Sequence, residues 1–158
     1  MKTILSILFI LPFLGVYSQD TLKIKQINIL VSNINASTLP LQRDTLIQDH
    51  PEMGLKVTTY LTMIINGSDL IKYVNNVNTT MMENGVVRQM TGSNTFYYDH
   101  NKLIKVEEYI IEDDKKGEAD WYYSDDRPLY YTLQSDKAEA RATLLLTMSK
   151  VMLKQIIK

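Results

Sequence analysis

Apolar residues along this chain keep a helical spacing at both ends and alternate between the ends. After Asp20, a residue type suited to an N-cap, the segment TLKIKQINILVSNINAS carries Ile27, Leu30, Val31 and Ile34. That i, i+3, i+4, i+7 spacing predicts one apolar helical face, diluted by Asn28, Asn33 and Asn35. The next stretch, TLPLQRDTLIQDHPEMG, contains two prolines and a glycine and keeps no period. It reads as a loop crossing from the helix to a sheet.

From Leu55 the period becomes two. LKVTTYLTMII alternates Leu55, Val57, Thr59, Leu61, Met63 and Ile65 against Lys56, Thr58, Tyr60 and Thr62. NGSD then turns the chain into a second strand with Ile71, Tyr73, Val77 and Met81 on one face. ENG is a hairpin signal, followed by VVRQM, then TGSN read as a turn. Phe96-Tyr97-Tyr98, Lys102 to Ile111, Trp121-Tyr122-Tyr123 and Leu129 to Leu133 complete a meander through the turns DHN and SDDRP and the polar loop EDDKKGE. The last segment begins with Asp136 and Glu139 in capping-box spacing and then runs without Gly or Pro. Leu145, Met148, Val151, Met152 and Ile156 form its apolar stripe, widened by Leu144 and Ile157. The fold class expected is α+β: an N-terminal helix, an antiparallel meander of six or seven strands, and a long amphipathic C-terminal helix. The simplest arrangement lays the helices on one face of the sheet.

The first residues change the picture of where the chain goes. MKTILSILFILPFLGVYSQ sets Lys2 before an apolar run from Ile4 to Val16, too short to span a bilayer as a helix, with small residues after it. This is the layout of a signal peptide over residues 1–18, with cleavage expected between Ser18 and Gln19. Residues 19–158 are then expected to form a single domain, exported to the periplasm or beyond, with no stable membrane span. The chain contains 0 cysteines, so neither a disulfide nor a thiolate metal site holds it together.

Composition excludes one class of partner. Seventeen basic residues against 18 acidic ones leave no basic excess for a nucleic-acid surface, and removing the leader takes Lys2 away as well. No metalloprotease, nucleophile-elbow, phosphate-loop or EF-hand motif is present, and no cofactor is expected. His100 sits in a turn beside Asp99, and His50 precedes Pro51 with no partner spacing. The acidic pairs Asp113-Asp114 and Asp125-Asp126 belong to hairpin tips, where charge serves turn formation. One acid breaks a pattern: in LIKVEEYII the face Ile104, Val106, Glu108, Ile110 is otherwise apolar. If alternation holds, Glu108 points toward the helices or into a cavity; a β-bulge, a strand end in water or a salt bridge with a lysine would resolve it otherwise.

Most of the aromatic residues fall between Phe96 and Tyr131. Alternation puts Phe96, Tyr98, Trp121 and Tyr123 on one face and Tyr97 and Tyr122 on the other. One set should be core. The other is expected to be a Tyr-bearing outer surface joined by Tyr130 or Tyr131, either a cross-strand ladder or a recognition face. Residues 96–133, with two aromatic-Tyr-Tyr triplets each preceding an acidic turn and a new strand, resemble the tyrosine-rich hairpin repeats (YD- or MORN-type) of exported bacterial proteins. That resemblance implies a structural or interaction role and brings no catalytic residues.

Three functions are therefore open. The first is an exported, non-catalytic interaction module that uses Tyr97, Tyr122 and Tyr130 or nearby loops to bind a protein. The second is a carrier of a small apolar ligand between sheet and C-terminal helix, its eight methionines suiting an adaptable lining. The third is a small enzyme of a cone-shaped α+β fold using Glu108 as acid or base. A carrier should show a cavity behind the sheet, a module a filled core, and an enzyme an open cleft at Glu108.

Overall fold

The computed structural model describes residues 11–83, 85–112 and 115–157, with side chains from residue 20 onward except Glu83. The first ten residues of the expected leader and the Asp113-Asp114 tip lie outside the described residues. Helix α1 (Leu11–Asn35) leads into strands β1 (Leu41–His50), β2 (Leu55–Asn66), β3 (Asp69–Glu83), β4 (Val86–Asp99), β5 (Lys102–Glu112), β6 (Lys115–Ser124) and β7 (Arg127–Tyr131), then helix α2 (Ala138–Ile156). The seven strands form one antiparallel sheet in sequence order. This is the α+β meander that the hydrophobic pattern implies, because short turns make successive strands antiparallel neighbours.

Two segments differ from the sequence reading. The stretch read as a loop contains β1, whose residues are exposed on both faces until its end. A strand with no buried face has no alternation to display, so its sequence looks aperiodic. TGSN is no turn either: β4 runs unbroken through it, paired with β3 and β5 on either side. Ladder pairing on both edges overrides the turn propensity of Gly92, Ser93 and Asn94.

The helices do not share one face, as the sequence reading placed them, but lie on opposite faces of the sheet. The triplets present aromatic residues on both sides for a helix to cover. Ala138, Ala142, Leu145 and Leu146 of α2 pack with Leu70, Tyr73, Phe96, Tyr98, Leu103, Val106, Trp121 and Tyr123. Ile27 and Val31 of α1 pack with Tyr97 and Tyr122. Each aromatic-Tyr-Tyr triplet is thus buried at all three positions, since alternation sends its members to both covered faces. The stripe of α2 is rotated from the expected one: Ser149 is buried, whereas Val151 and Leu144 are exposed. Asp136 does not cap α2. Its start is held instead by Ser135, whose hydroxyl accepts the Lys137 amide at 3.2 Å and whose carbonyl accepts the Ala138 amide at 3.1 Å. Nor does Asp20 open α1, which runs through it, and Leu30 points to solvent.

Three β-bulges fix how the faces are dealt out. The ladder shifts register between Ile64 and Ile65, between Tyr97 and Tyr98, and between Tyr122 and Tyr123. In each case the strand after the turn holds one extra residue: Ile71, Ile104 and Leu129. The two written triplets therefore have a third relative, Ile64-Ile65 with its turn at Gly67. A bulge puts two successive residues on one side. Ile104 accordingly joins Lys105 on the α1 face, and the face of Val106, Glu108 and Ile110 loses the Ile104 assigned to it by simple alternation. The two later turns have positive φ at both central residues, His100 (48°) with Asn101 (61°) and Asp125 (52°) with Asp126 (60°). Asn and Asp tolerate that region better than other side-chain-bearing residues.

Asn101 does more than turn the chain. Its Oδ1 accepts the Leu70 amide at 2.8 Å, while its Nδ2 donates to the Ser68 carbonyl at 3.3 Å and to Asp69 Oδ1 at 2.9 Å. One side chain thereby ties the β4–β5 turn to the β2–β3 turn. Asn101→Ala should lower stability by about 2 kcal/mol, from lost hydrogen bonds and a less tolerated φ. Asn101→Gly should recover only the φ component, and denaturant midpoints of the three proteins check this.

Candidate functional site

On the α1 face, the strand register places Lys72, Tyr97, Lys105, Tyr122 and Tyr130 side by side across β3 to β7. Cations and rings alternate in this row. Lys72 Nζ lies 5.1 Å from the Tyr97 ring centroid, Lys105 Nζ lies 5.2 Å from that of Tyr122, and Tyr122 and Tyr130 are 5.9 Å apart. A cation over an aromatic face gains from the ring quadrupole, more so when water is excluded. Helix α1 closes over the row with its asparagines. Tyr122 donates to Asn28 Oδ1 at 3.1 Å, and Lys72 donates to Asn35 Oδ1 at 2.6 Å. Asn35 also meets the Tyr97 hydroxyl at 3.3 Å. The asparagines that dilute the helix in sequence are its polar docking points on the sheet.

One register step outward lies the carboxylate pair Glu107 and Asp120, directly opposed across β5 and β6. Lys105 bridges them, at 2.8 Å from Glu107 and 3.2 Å from Asp120, with its side chain only 7% exposed. Burial works against the Lys105 charge. The hydrogen bond and charge of Glu107, with Asp120 behind, outweigh it and hold the ammonium above its ordinary range. Tyr97 donates to Glu107 at 3.0 Å. Burial is the main cause that pushes its hydroxyl up to about 12, and burial likewise raises Tyr98 and Tyr123.

These shifts share a sign. Each favours the protonated form in the folded protein, so their stabilisation is complete below the unfolded values near pH 10 and is lost above them. The protein is expected to hold its midpoint from neutrality to about pH 10 and to unfold cooperatively as pH rises toward about 12. Tyrosinate absorbance and circular dichroism followed together should change in one transition.

Glu108 points to the α2 face, as the pattern break suggests, and is met by Arg141 of α2. The guanidinium makes two contacts, Nε to Oε2 at 3.3 Å and Nη2 to Oε1. The partner is an arginine and not the lysine expected from sequence, and the pair is a bidentate clamp between β5 and the first turns of α2. Such a clamp supplies a structural reason for the acid. Beside it opens a cleft of about 460 Å³, lined by Ile110, Ala119, Trp121, Leu133, Lys137 and Arg141 among others. A second cleft, of about 470 Å³, lies by Thr95, Glu107, Asp120 and Thr132 on the α1 side. Behind α2 the core is filled, with Leu70, Val106, Trp121 and Leu145 at 0–1% exposure.

Of the four residues singled out by sequence, Tyr97, Tyr122 and Tyr130 share one row, and Glu108 lies on the opposite face. Tyr97 and Tyr122 are buried beneath α1 and do not form the outer surface expected of them; Tyr130 remains 45% exposed at the end of the row. Exposed apolar residues occur on the helices, among them Leu22, Ile29, Leu144 and Val151, and also farther out on the sheet. On the α1 side of the sheet these are Ile47, Tyr60, Met82 and Val87, and on the α2 side Leu46, Val86 and Ile110. Sequence reasoning missed Leu46 and Ile47 because they belong to the aperiodic β1. His100 pairs with its neighbour Asp99 at 2.8 Å in open solvent, and among the described residues no group of three acidic or histidine side chains could hold a metal ion. No described helix is long and apolar enough to cross a membrane. No family model, curated protein or solved structure matches this chain.

Proposed function

We propose that the protein is an exported, non-catalytic interaction module whose partner-binding surface is the outer part of the sheet. One observation carries this reading. The helices cover the sheet at the aromatic triplets, while Leu46, Ile47, Tyr60, Met82, Val86 and Val87 farther out are 46–60% exposed. Large apolar residues exposed on both faces of an uncovered part of a sheet favour association with another macromolecule. The filled core and the arginine-clamped Glu108 support a binding role over acid–base chemistry.

The test is a photo-reactive residue placed at Ile47, Tyr60 or Val87, with exposed Leu144 of α2 as the control position, in cells that export the protein. Discrete adducts from the sheet positions and none from Leu144 are expected. Equal yields at all positions, or none on the sheet, would contradict the proposal. A second reading, carriage of a small apolar ligand, is favoured by the cleft beside Arg141 and Trp121. Native mass spectrometry of the exported protein separates the two, because a carrier shows a mass excess that denaturation removes.

A further inference from the structure

The two edges of the sheet are built differently. β7 is five residues long, contains Pro128 and is bulged against β6. Shortness, proline and a bulge are devices that keep an edge from pairing. β1 has none of them: it is ten residues long, pairs with β2 in unbroken register and has its prolines outside, at Pro40 and Pro51. Leu46 and Ile47 on it are 54% and 59% exposed.

Its backbone is also ready for a neighbour. The Thr45 amide donates to Asp44 Oδ1 at 2.7 Å, so it points off the edge and not across to β2. In an antiparallel ladder outward groups recur at every second residue, which adds Arg43, Ile47 and Asp49. Arg43 and Asp49 lie on the same face, and among the described residues neither has an ion-pair partner.

We infer that β1 pairs antiparallel with β1 of a second copy, joining two sheets into one, with Leu46 opposite Leu46 on the two-fold axis. This rests on reading the outer sheet as the interaction surface, and it names the partner. The register follows from backbone and charge together. Outward groups pair only with outward groups, so odd residues must face odd residues. With Leu46 on the axis, Arg43 of each copy faces Asp49 of the other, Thr45 faces Ile47, and Asp44 faces Gln48. Moving the axis to Thr45 would set Leu41 against Asp49 and Ile47 against Arg43. Moving it to Asp44 would oppose two aspartates. Opposite charges directly across a ladder stabilise it and like charges oppose it. In the paired state the Thr45 amide donates to the Ile47 carbonyl of the second copy, and Asp44 turns to the Gln48 amide opposite. The arrangement is isologous and closes on itself, as a two-fold dimer must.

The absence of native cysteines makes the test direct. The exported protein carrying Leu46→Cys should form a disulfide dimer under mild oxidation. Gln48→Cys, displaced from the axis, should not. Sedimentation should show a concentration-dependent dimer of the unmodified chain. Arg43→Glu and Asp49→Arg should each weaken it on the order of tenfold or more, and the two together should restore it. A chain that stays monomeric at every concentration, with no Leu46→Cys dimer, overturns the inference. If photo-crosslinking at Ile47 then still captures a different protein, the outer-sheet reading stands without the dimer. If it captures nothing, both fall.

Discussion

Replacing Lys105 with methionine is expected to destabilise the protein by about 3 kcal/mol, more than its single charge on a surface would suggest. The side chain is nearly enclosed between Tyr122, Glu107 and Asp120. Methionine keeps much of the volume and removes the cation. Glu107 and Asp120, directly opposed across the ladder, would then face each other uncompensated. The carboxylates are 38% and 36% exposed and keep part of their solvation. The cost therefore comes from their mutual repulsion across the ladder together with the lost contacts of the enclosed Lys105 side chain. The pH dependence separates this account from simple loss of packing. In Lys105→Met two like charges favour protonation in the folded state, so acidification should recover part of the stability. Adding Glu107→Gln to Lys105→Met should recover a similar part at neutral pH. A loss that neither acid nor Glu107→Gln relieves would point to packing alone.

Trp121→Ala is expected to cost about 4 kcal/mol, a large share of the 5–15 kcal/mol that usually holds a domain together. Trp121 is 1% exposed, is paired across the ladder with Val106, and lies 5.6 Å from the Tyr131 ring. Truncation would open a cavity where β5, β6, β7 and the start of α2 meet. Trp121→Phe should cost markedly less, since a ring remains to fill the site. Chemical denaturation followed by circular dichroism measures both, as the substitution removes the only tryptophan in the chain. A cost below about 1 kcal/mol for Trp121→Ala would mean that α2 does not press on this part of the sheet.

The sequence displayed the parts of this fold that have one wet and one dry side. β2 and α2 announce themselves because burial on one face imposes a period. β1 escaped notice because both its faces are wet. The two aromatic triplets misled in the opposite way, because both faces of the sheet are dry there. A triplet such as Phe96-Tyr97-Tyr98 offers no polar residue to mark an outer side, and Tyr97 with Tyr122 looked available for recognition. The polar partners that make them core residues, Asn28, Asn35, Lys72 and Lys105, are scattered over three other elements. No local spacing reveals them. The bulges were equally hidden. One extra residue on each returning strand moves Ile104 and Leu129 to the α1 face, which is why Glu108 kept the company of Val106 but not of Ile104.

Glu108 was legible as an exception, though its partner was not. Arg141 lies 33 residues away on α2, and only the packing of that helix brings the two together. The candidate surface was the least legible part, since Leu46 and Ile47 became important only once β1 was seen to be an open edge.

The central claim is that the Tyr97–Tyr122 face is sealed by α1, leaving the outer sheet as the free surface. Amide hydrogen exchange resolved by segment tests it most directly. The account predicts that residues 22–35 of α1 exchange slowly and open together with the strand segments 96–98 and 121–123. Exchange of α1 at the rate of an unpacked helix, with those strand segments still protected, would contradict it and make the tyrosine row the exposed surface.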